Sequence, residues 1–569
     1  MSFIQVQTNV GRDGRKLAYV HFATSVWVTG RNRPVQKRVY LGKLDTASGE
    51  VAVSKGFPNR SGSRVPLATL QGKAKAGEDV EAWLRLPAEP DSLLAKGMDF
   101  PARVEVVGDA HLLLTLARET GLDAALEGAF GPKEGPAILA LAMHQVAEGR
   151  PPYLAGHWLD ERELPATMKG RIVSPEHVYG ILLRTGADEA GRQRFFRDWF
   201  HRHRGVAAVI CDTTSISTYA ADLELAEFGH NRDGDRLPQI NICLVADRQT
   251  GLPLWARPLP GSIPDVSTLE RTVELLQDLG LEQFRFSLDR GFYSQSNLRE
   301  LLAADLDFVI GAPFSTTRAR ALVRAHRAAL ATPKRSLQFH GHLMRHVCAA
   351  WSVPMADRSN REIDAHVFFE PERQAERVAR VEKAVFAIED KAAGETFASY
   401  AQAREWLREN AGGLARCLAL RRDADGPVRI ERRPRAVALA IARLGYTVVL
   451  SSRTGLEGAE VLEDYRSRDQ VEKLFDSLKN EDGQYRLRTG IDESAEGRLF
   501  VAFAALVLRV ALEDRLRHAG LLRRMTTAAA LAQLRRIKAV TTLSGKRILL
   551  EIAKRHRILM AKLGLPLPT

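Results

Sequence analysis

Between residues 205 and 312 the chain changes from helical texture to short apolar runs, and this change limits the fold more than any other feature. Val206-Ala-Ala-Val-Ile-Cys-Asp212 has the length of a buried strand and stops on a carboxylate. Two more strand patterns, Gln239–Asp247 and Leu252–Pro258, surround the turn Arg248-Gln-Thr-Gly251. A helix over Asp265–Leu279 leads into Phe284-Arg-Phe-Ser-Leu-Asp289, a second strand pattern that stops on an acid. A helix near Ser296–Ala304 and a strand at Asp307–Ile310 follow. Three consecutive strands, then alternating helix and strand, predict an α/β fold on a mixed sheet.

The series breaks at 313–440. There, Arg- and Ala-rich helices at Ser315–Ala331, Pro371–Lys391 and Ser399–Asn410 mix with short strands at Ser336–Val353 and Ala365–Phe369, which predicts an α+β insertion domain. The α/β pattern resumes at Tyr446–Ser451 and continues into a helix over Glu457–Lys479 and an apolar helix over Arg498–Leu512. Upstream, residues 1–45 read as a β-hairpin around the turn Gly30-Arg-Asn-Arg-Pro34, and 48–76 as a Gly/Ser/Lys-rich loop. In the block that follows, helices at Ala110–Thr120 and Gly135–Glu148 are each stopped by glycine, Gly121 and Gly149. Further helices are expected at Pro175–Thr185 and Asp188–Phe200. The expected layout is a hairpin and loop region at 1–100, a helical domain at 101–204 that either binds DNA or only packs, a core in two parts at 205–312 and 441–512, the insertion domain at 313–440, and a basic helical region at 513–569.

A chain of 569 residues is too long for one core, and about three to four domains are expected. Apolar residues at 45% and charged residues at 27% fit folded protein rather than disorder. No apolar run reaches the roughly 18 residues of a membrane span, and the first residues lack the apolar stretch of a secretory signal. Four cysteines without paired spacing suggest a reducing cytoplasm. The net charge of +13 points to a polyanionic partner. From Arg515 to Lys562 there are thirteen Lys/Arg against one acid, Glu551, so the excess is concentrated at the C-terminal end. Nucleic acid binding with strong salt dependence is expected, a merely solubilising tail being the plainer alternative.

The segment Tyr465-Arg-Ser-Arg468-Asp-Gln-Val-Glu472-Lys-Leu-Phe-Asp-Ser-Leu-Lys479 puts an aromatic, a cation, a carboxylate and a second cation at offsets 0, 3, 7 and 14. On one continuous helix these four fall within an arc of about 60°. Such a face suits metal ions and phosphates together, or is a solvated salt-bridged surface. Asp212 and Asp289 are expected at strand ends and Glu472 on a later helix. Hard divalent cations take oxygen ligands of this kind, and a pair of them about 4 Å apart serves phosphoryl transfer. A single acid at a strand end is usually a loop cap; three with cationic neighbours favour a metal site.

These motifs resemble those of bacterial insertion-sequence transposases of the DDE type, in the YREK group with an insert before the glutamate. Asp212-Thr-Thr-Ser215 is similar to that group's first-aspartate motif and Asp289-Arg-Gly-Phe-Tyr-Ser294 to its second. Tyr465, Arg468, Glu472 and Lys479 match Y-x₂-R-x₃-E-x₆-K at every position, and Gly261-Ser-Ile-Pro-Asp265 resembles a further short motif. The resemblance, from about residue 100 to 515, implies an RNase H-like core with Asp212, Asp289 and Glu472 as ligands of two Mg²⁺ or Mn²⁺ ions. It implies that Tyr465, Arg468 and Lys479 hold phosphates at a transposon end. It further implies hydrolysis that frees a 3′-hydroxyl, attack of that hydroxyl on target DNA, and a homodimer on paired inverted-repeat ends. In this group a Trp of the insert stacks on a flipped base; Trp351 is the candidate here, against a core or loop role. Arg290, Arg486 and Arg488 are either phosphate contacts or surface charge.

His340-x-His342-x₃-His346-x-Cys348 alternates so that all four side chains share one strand face, either a transition-metal face or a polar one. Asp247, Asp265 and Asp476 are spare acids expected to support the site or the backbone. The rival readings are a metal-dependent nuclease without strand transfer and a DNA-binding descendant without catalysis. Retention of all three acids and the full YREK set speaks against the second.

Overall fold

A computed structural model of the chain describes residues 2–10, 16–26, 35–58, 61–85, 100–169, 172, 174–203, 205–220, 222–229, 237–264, 267–279, 284–422, 426–481, 486–487 and 489–568. It divides into two compact units, residues 1–105 with 538–551 and 569, and residues 106–537 with 552–568.

In the first unit β1 (Ser2–Val10), β2 (Lys16–Val26), β3 (Val35–Asp45), β4 (Glu50–Val53) and β5 (Arg64–Pro66) form an antiparallel sheet in chain order. The expected hairpin is therefore the middle of a larger meander, and its turn at Gly30–Pro34 lies outside the described residues. The expected loop at 48–76 is corrected to two short strands and the helix Leu67–Lys75. Its few apolar residues carry the change: Val51, Val53, Val65 and Leu70 are buried against Val20, Phe22 and Leu41. Scattered apolar positions in a Gly/Ser-rich background show no period, yet one buried face is enough to order them.

β6 (Pro101–Val106) opens the segment expected to be helical. After it come the helix Gly108–Thr120, α1 (Leu122–Glu148), α2 (Pro175–Ala187) and α3 (Glu189–Arg202). Gly121 and Gly149 take left-handed φ of 74° and 59°, the stop conformation expected of them. α1 is kinked at Gly131, so its first turns precede the expected start at Gly135.

The large sheet of the second unit contains β7 (Ala208–Thr218), β8 (Gln239–Asp247), β9 (Pro253–Pro260), β10 (Arg285–Leu288), β11 (Asp307–Gly311), β12 (Ser336–Phe339), β13 (His342–Pro354), β14 (Asn360–Phe369), β17 (Tyr446–Ser451) and β18 (Arg486–Leu487). The hairpin of β15 (Leu418–Arg422) and β16 (Val428–Arg432) stands apart from it. Strand order is β12-β13-β14-β17-β11-β10-β7-β8-β9, with β18 beside β7. β10 runs parallel to β7 and β11, and β18 parallel to β7; the other pairs are antiparallel, so the expected mixed sheet is present. The insertion is not self-contained: β12, β13 and β14 extend the main sheet through β14–β17 pairing. α4 (Pro371–Ala393), the helices Tyr400–Asn410 and Pro434–Ile441, β15 and β16 gather a separate cluster, around Val385, Leu407, Cys417 and Val428. Val367, Phe368 and Phe369 explain this, because an apolar run three residues long needs both faces covered, which a central strand provides.

The expected single helix over Glu457–Lys479 is corrected to three pieces: α5 (Gly458–Arg466), α6 (Asp469–Asp476) and a π turn at Ser477–Glu481. α5 packs Val461, Leu462 and Tyr465 on Val309, Met344, Phe368 and Val449 of the sheet. α7 (Asp492–His518) is buried continuously from Leu499 to Val510. A helix apolar all round must be enclosed, and α7 is enclosed by α2 among others. At their crossing a Cβ on Gly497 would lie 1.8 Å from the Leu182 carbonyl oxygen, and one on Gly186 would lie 1.6 Å from that of Glu493. The C-terminal region is only partly helical: β19 (Lys538–Thr542) and β20 (Arg547–Leu549) form a three-stranded sheet with β6. Part of its positive charge is used internally, Arg515 on Glu119, Arg517 on Asp514 and Arg535 on Asp109 and Glu148.

Candidate active site

β7 is buried throughout, and it does not stop at Asp212 as expected but runs six residues further, through the β-branched Thr213, Thr214 and Ile216. Asp212 therefore sits in mid-strand. β10 pairs with β7 up to Leu288 and Cys211, which puts Asp289 beside Asp212 at the next register position. β18 joins β7 only at Ser217 and Thr218. Asp212–Ile216 thus lie between two pairings on that edge, and the two aspartates meet where the β10 ladder ends. Asp212 is 4% exposed, with its Oδ1 accepting from the Thr213 N–H at 2.8 Å.

The third acid comes from α6. Arg468, at its N-cap, donates Nη1 to Asp289 Oδ1, and its Nη2 lies 3.9 Å from Glu472 Oε1 one turn on. Burial works against the Arg468 charge, but Tyr465, Asp289, Glu472 and Asp212 together hold its pKa above the ordinary arginine value. One guanidinium thus lies in the field of all three acids and offsets their mutual repulsion. The Glu472 side chain is 58% exposed, so the cluster opens to solvent on that side.

Tyr465 is buried, with its ring 4.8 Å from the Arg468 guanidinium carbon. Burial, the largest influence, pushes its hydroxyl up to about 12, so the phenol keeps its proton and can donate. Gly311 makes this fit possible: a Cβ there would stand 2.5 Å from the Tyr465 hydroxyl. Lys479 is buried in the π turn rather than aligned with Glu472 on an open helix face. The single arc expected for the four groups is therefore replaced by a constellation on three backbone segments, because the chain restarts its helix at Ser467–Arg468 and widens at Ser477.

What anchors α5 was not read from the sequence. Asp464, buried next to Tyr465, is paired with Arg248 at 2.7 Å and with Arg285 at the start of β10. A lone acid beside the motif carries no spacing signal, and its partners are remote in sequence. Beside the acids lies a cavity of about 260 Å³ to which Arg290, Arg373, Arg377, Arg466 and Arg468 all contribute, with Glu370 and Asp469 as the acids. Burial, then the like charges of Arg373, Arg290 and Arg380, lower the Arg377 pKa, Glu370 pulling the other way. Arg290 was anticipated. Arg373 and Arg377 were not, although their spacing of four on α4 puts them on one helix face.

Trp351, the candidate for stacking on a base, is corrected to a core residue: it is 0% exposed, with the Arg318 guanidinium 4.1 Å from its ring, and has no free face. Asp247 caps its own turn through Thr250. The short motif at Gly261 is held by Gln239 and Asn241 of β8, while its Asp265 lies outside the described residues, as does Arg488. The four-residue His/Cys face is also changed. His340 stands in a turn at φ 48° beside Glu463, and His342 is 3.8 Å from Glu372; His346 and Cys348 instead each contact His366 of β14. No helix among the described residues is long and apolar enough to cross a membrane.

Residues 206–508, more than half of the chain, match the model of the transposase DDE domain family. Among curated proteins no significant match is found. Among solved structures, a cryo-EM structure of the piggyBac transposase synaptic complex with hairpin DNA aligns with 76% of this chain and 76% of that one, at 12% identity and a TM-score of 0.32. The matched stretch spans Asp212, Asp289 and Glu472 together with the strands and helices that bring them into one field. The chain belongs to the transposase DDE domain family.

Proposed function

We propose that this chain is a cut-and-paste DNA transposase that hydrolyses phosphodiester bonds at the ends of its own element and joins the freed 3′-hydroxyl to target DNA. One observation carries the reading: Arg468 binds Asp289, lies one turn from Glu472 and sits in the field of Asp212, so three sequence-distant carboxylates share one place. The strand order β9-β8-β7-β10-β11, with β10 and β11 parallel to β7, supports an RNase H-like core carrying its first two acids on neighbouring strands.

The donor set is all oxygen, which fits Mg²⁺ or Mn²⁺ and does not favour softer ions. Asp212, Asp289 and Glu472 would hold two such ions, which when bound activate an attacking oxygen and stabilise a leaving one. The chain's own contribution is to hold the DNA backbone. Arg468, Lys479 and Arg290, with Arg373 and Arg377, supply positive charge and forked donors, and Tyr465 supplies a neutral O–H. Pairing two ends calls for a homodimer on DNA, working in the cytoplasm at the bacterial nucleoid.

Protein, Mg²⁺, a pre-cleaved end and a target plasmid should yield joined product. Cleavage without joining would make the chain a nuclease; binding with neither would make it a binding-only descendant, and either result overturns the reading.

A further inference from the structure

The second unit carries another cluster of metal-ligating side chains, on the part of the sheet that the insertion builds. Cys348 of β13 and His366 of β14 are direct cross-strand partners. Asp364 lies two residues before His366 and His346 two before Cys348, so the pleat turns all four to one face. The ligand atoms of Cys348, Asp364 and His366 lie within 4.8 Å of one another. His346 Nε2 is 2.9 Å from His366 Nδ1, which leaves His366 Nε2 towards the Cys348 sulfur at 4.0 Å. The Gly455 N–H donates to Asp364 Oδ2 at 2.8 Å and orients that carboxylate.

We propose that Cys348, Asp364 and His366 form a zinc-class metal site, with His346 fixing the His366 ring from behind and a water completing the tetrahedron. Sulfur and nitrogen on a tetrahedral zinc stand about 3.6 Å apart, so the Cys348–His366 pair has to close by only a few tenths of an ångström. Sulfur, imidazole and one carboxylate suit a borderline-soft cation, unlike the all-oxygen set of Asp212, Asp289 and Glu472. The far nitrogen of a ligating histidine is held by an outer partner, commonly a carboxylate, a carbonyl or water, and here the His346 ring takes that place.

Charge balance agrees. The thiolate and the carboxylate bring two negative charges to a divalent ion, and binding releases the thiol proton to solvent. The site bears on the catalytic helices through His346, whose ring a Cβ on Gly458, the first residue of α5, would approach to 2.5 Å. Metal bound here would hold the β13–β14 hairpin against the helix that carries Tyr465.

The test is zinc titration of the full chain after chelator treatment and dialysis. The expected result is one tight equivalent per chain and a raised Tm. Cys348→Ser and Asp364→Asn should abolish it, and His346→Gln should weaken it about ten- to a hundredfold. Asp212→Asn should leave it intact, which separates this site from the catalytic acids. Cobalt added in place of zinc should give a thiolate-to-metal charge-transfer band that is missing in Cys348→Ser. Cys348 is exposed, so this variant should fold, which far-ultraviolet circular dichroism checks. No zinc bound at micromolar concentration, or equal binding by folded Cys348→Ser, would overturn the proposal.

Discussion

The two halves of the large sheet differ in chemistry although one hydrogen-bonded ladder connects them. The half built on β7, β8 and β10 gathers carboxylates: Asp212 and Asp289 at adjacent register positions, with Glu472 brought in by Arg468. The half built on β12, β13 and β14 gathers imidazole and sulfur across one hairpin. The backing also differs. α7 packs Ala495, Leu499 and Ala502 against Ile216, Ile240 and Ile242, whereas α5 packs on Met344, Phe368 and Val449. A sheet thus supplies neighbouring positions, and the side chains decide which ions or anions those positions can take.

The comparison is broken most sharply by removing an acid. Asp212→Asn, Asp289→Asn and Glu472→Gln should each lower Mg²⁺-dependent cleavage of an end substrate by more than the roughly hundredfold typical of losing an outer-shell partner. End binding, measured by gel shift, should stay nearly intact, and substantial cleavage by any one variant would remove that residue from the set.

The backing of the acid half is tested by Gly497→Val. The added Cβ would meet backbone rather than a movable side chain, so a loss of about 3 kcal/mol is expected, seen as a lower Tm or urea midpoint. An unchanged midpoint would mean that the α2–α7 crossing relaxes freely.

Acid should act on the helical layer next. Burial, then Arg162, Arg150 and Arg535, lower the His144 pKa from 6.5 to about 4. The unfolded chain therefore binds a proton that the folded chain refuses between these values. Stability is full above about pH 6.5 and lost as pH falls towards 4, by on the order of 3 kcal/mol from this group. In a His144→Gln variant that folds, the drop between pH 7 and pH 4.5 should shrink; an unchanged drop assigns the acid sensitivity elsewhere.

The smallest expected effect concerns the cationic cavity. Arg373→Gln or Arg377→Gln should each reduce the slope of log affinity against log salt by about 1, one phosphate contact each. An unchanged slope for both would leave the cavity arginines as framework.

The acid half was more legible than the other because its signals are local. Asp212 and Asp289 each follow an apolar run long enough to be a buried strand, and Tyr465, Arg468 and Glu472 lie within eight residues. The helix drawn through them was legible only in part. Periodicity treats Glu457–Lys479 as one rod and has no means of placing the break at Ser467–Arg468 or the π turn at Ser477. The His/Cys face shows the opposite failure: four residues at the right spacing on one strand, of which two turn to the surface. Their true partners, Asp364 and His366, are visible only once β13 and β14 are in register.

The sequence by itself determined the strand and helix periods of the core, the two aspartates, the glutamate with its cations and the positive balance, since each depends on composition or on neighbours along the chain. The tertiary structure alone decided that β12–β14 extend the main sheet, that Asp464 locks α5 through Arg248 and Arg285, that Trp351 is core, and that Arg373 and Arg377 face the same cavity as Arg290 and Arg468. The reason is range: hydrogen-bond register, ion pairs and burial join residues hundreds of positions apart, 216 for Arg248 and Asp464 and 426 for Arg535 and Asp109, and no local pattern encodes such a pairing.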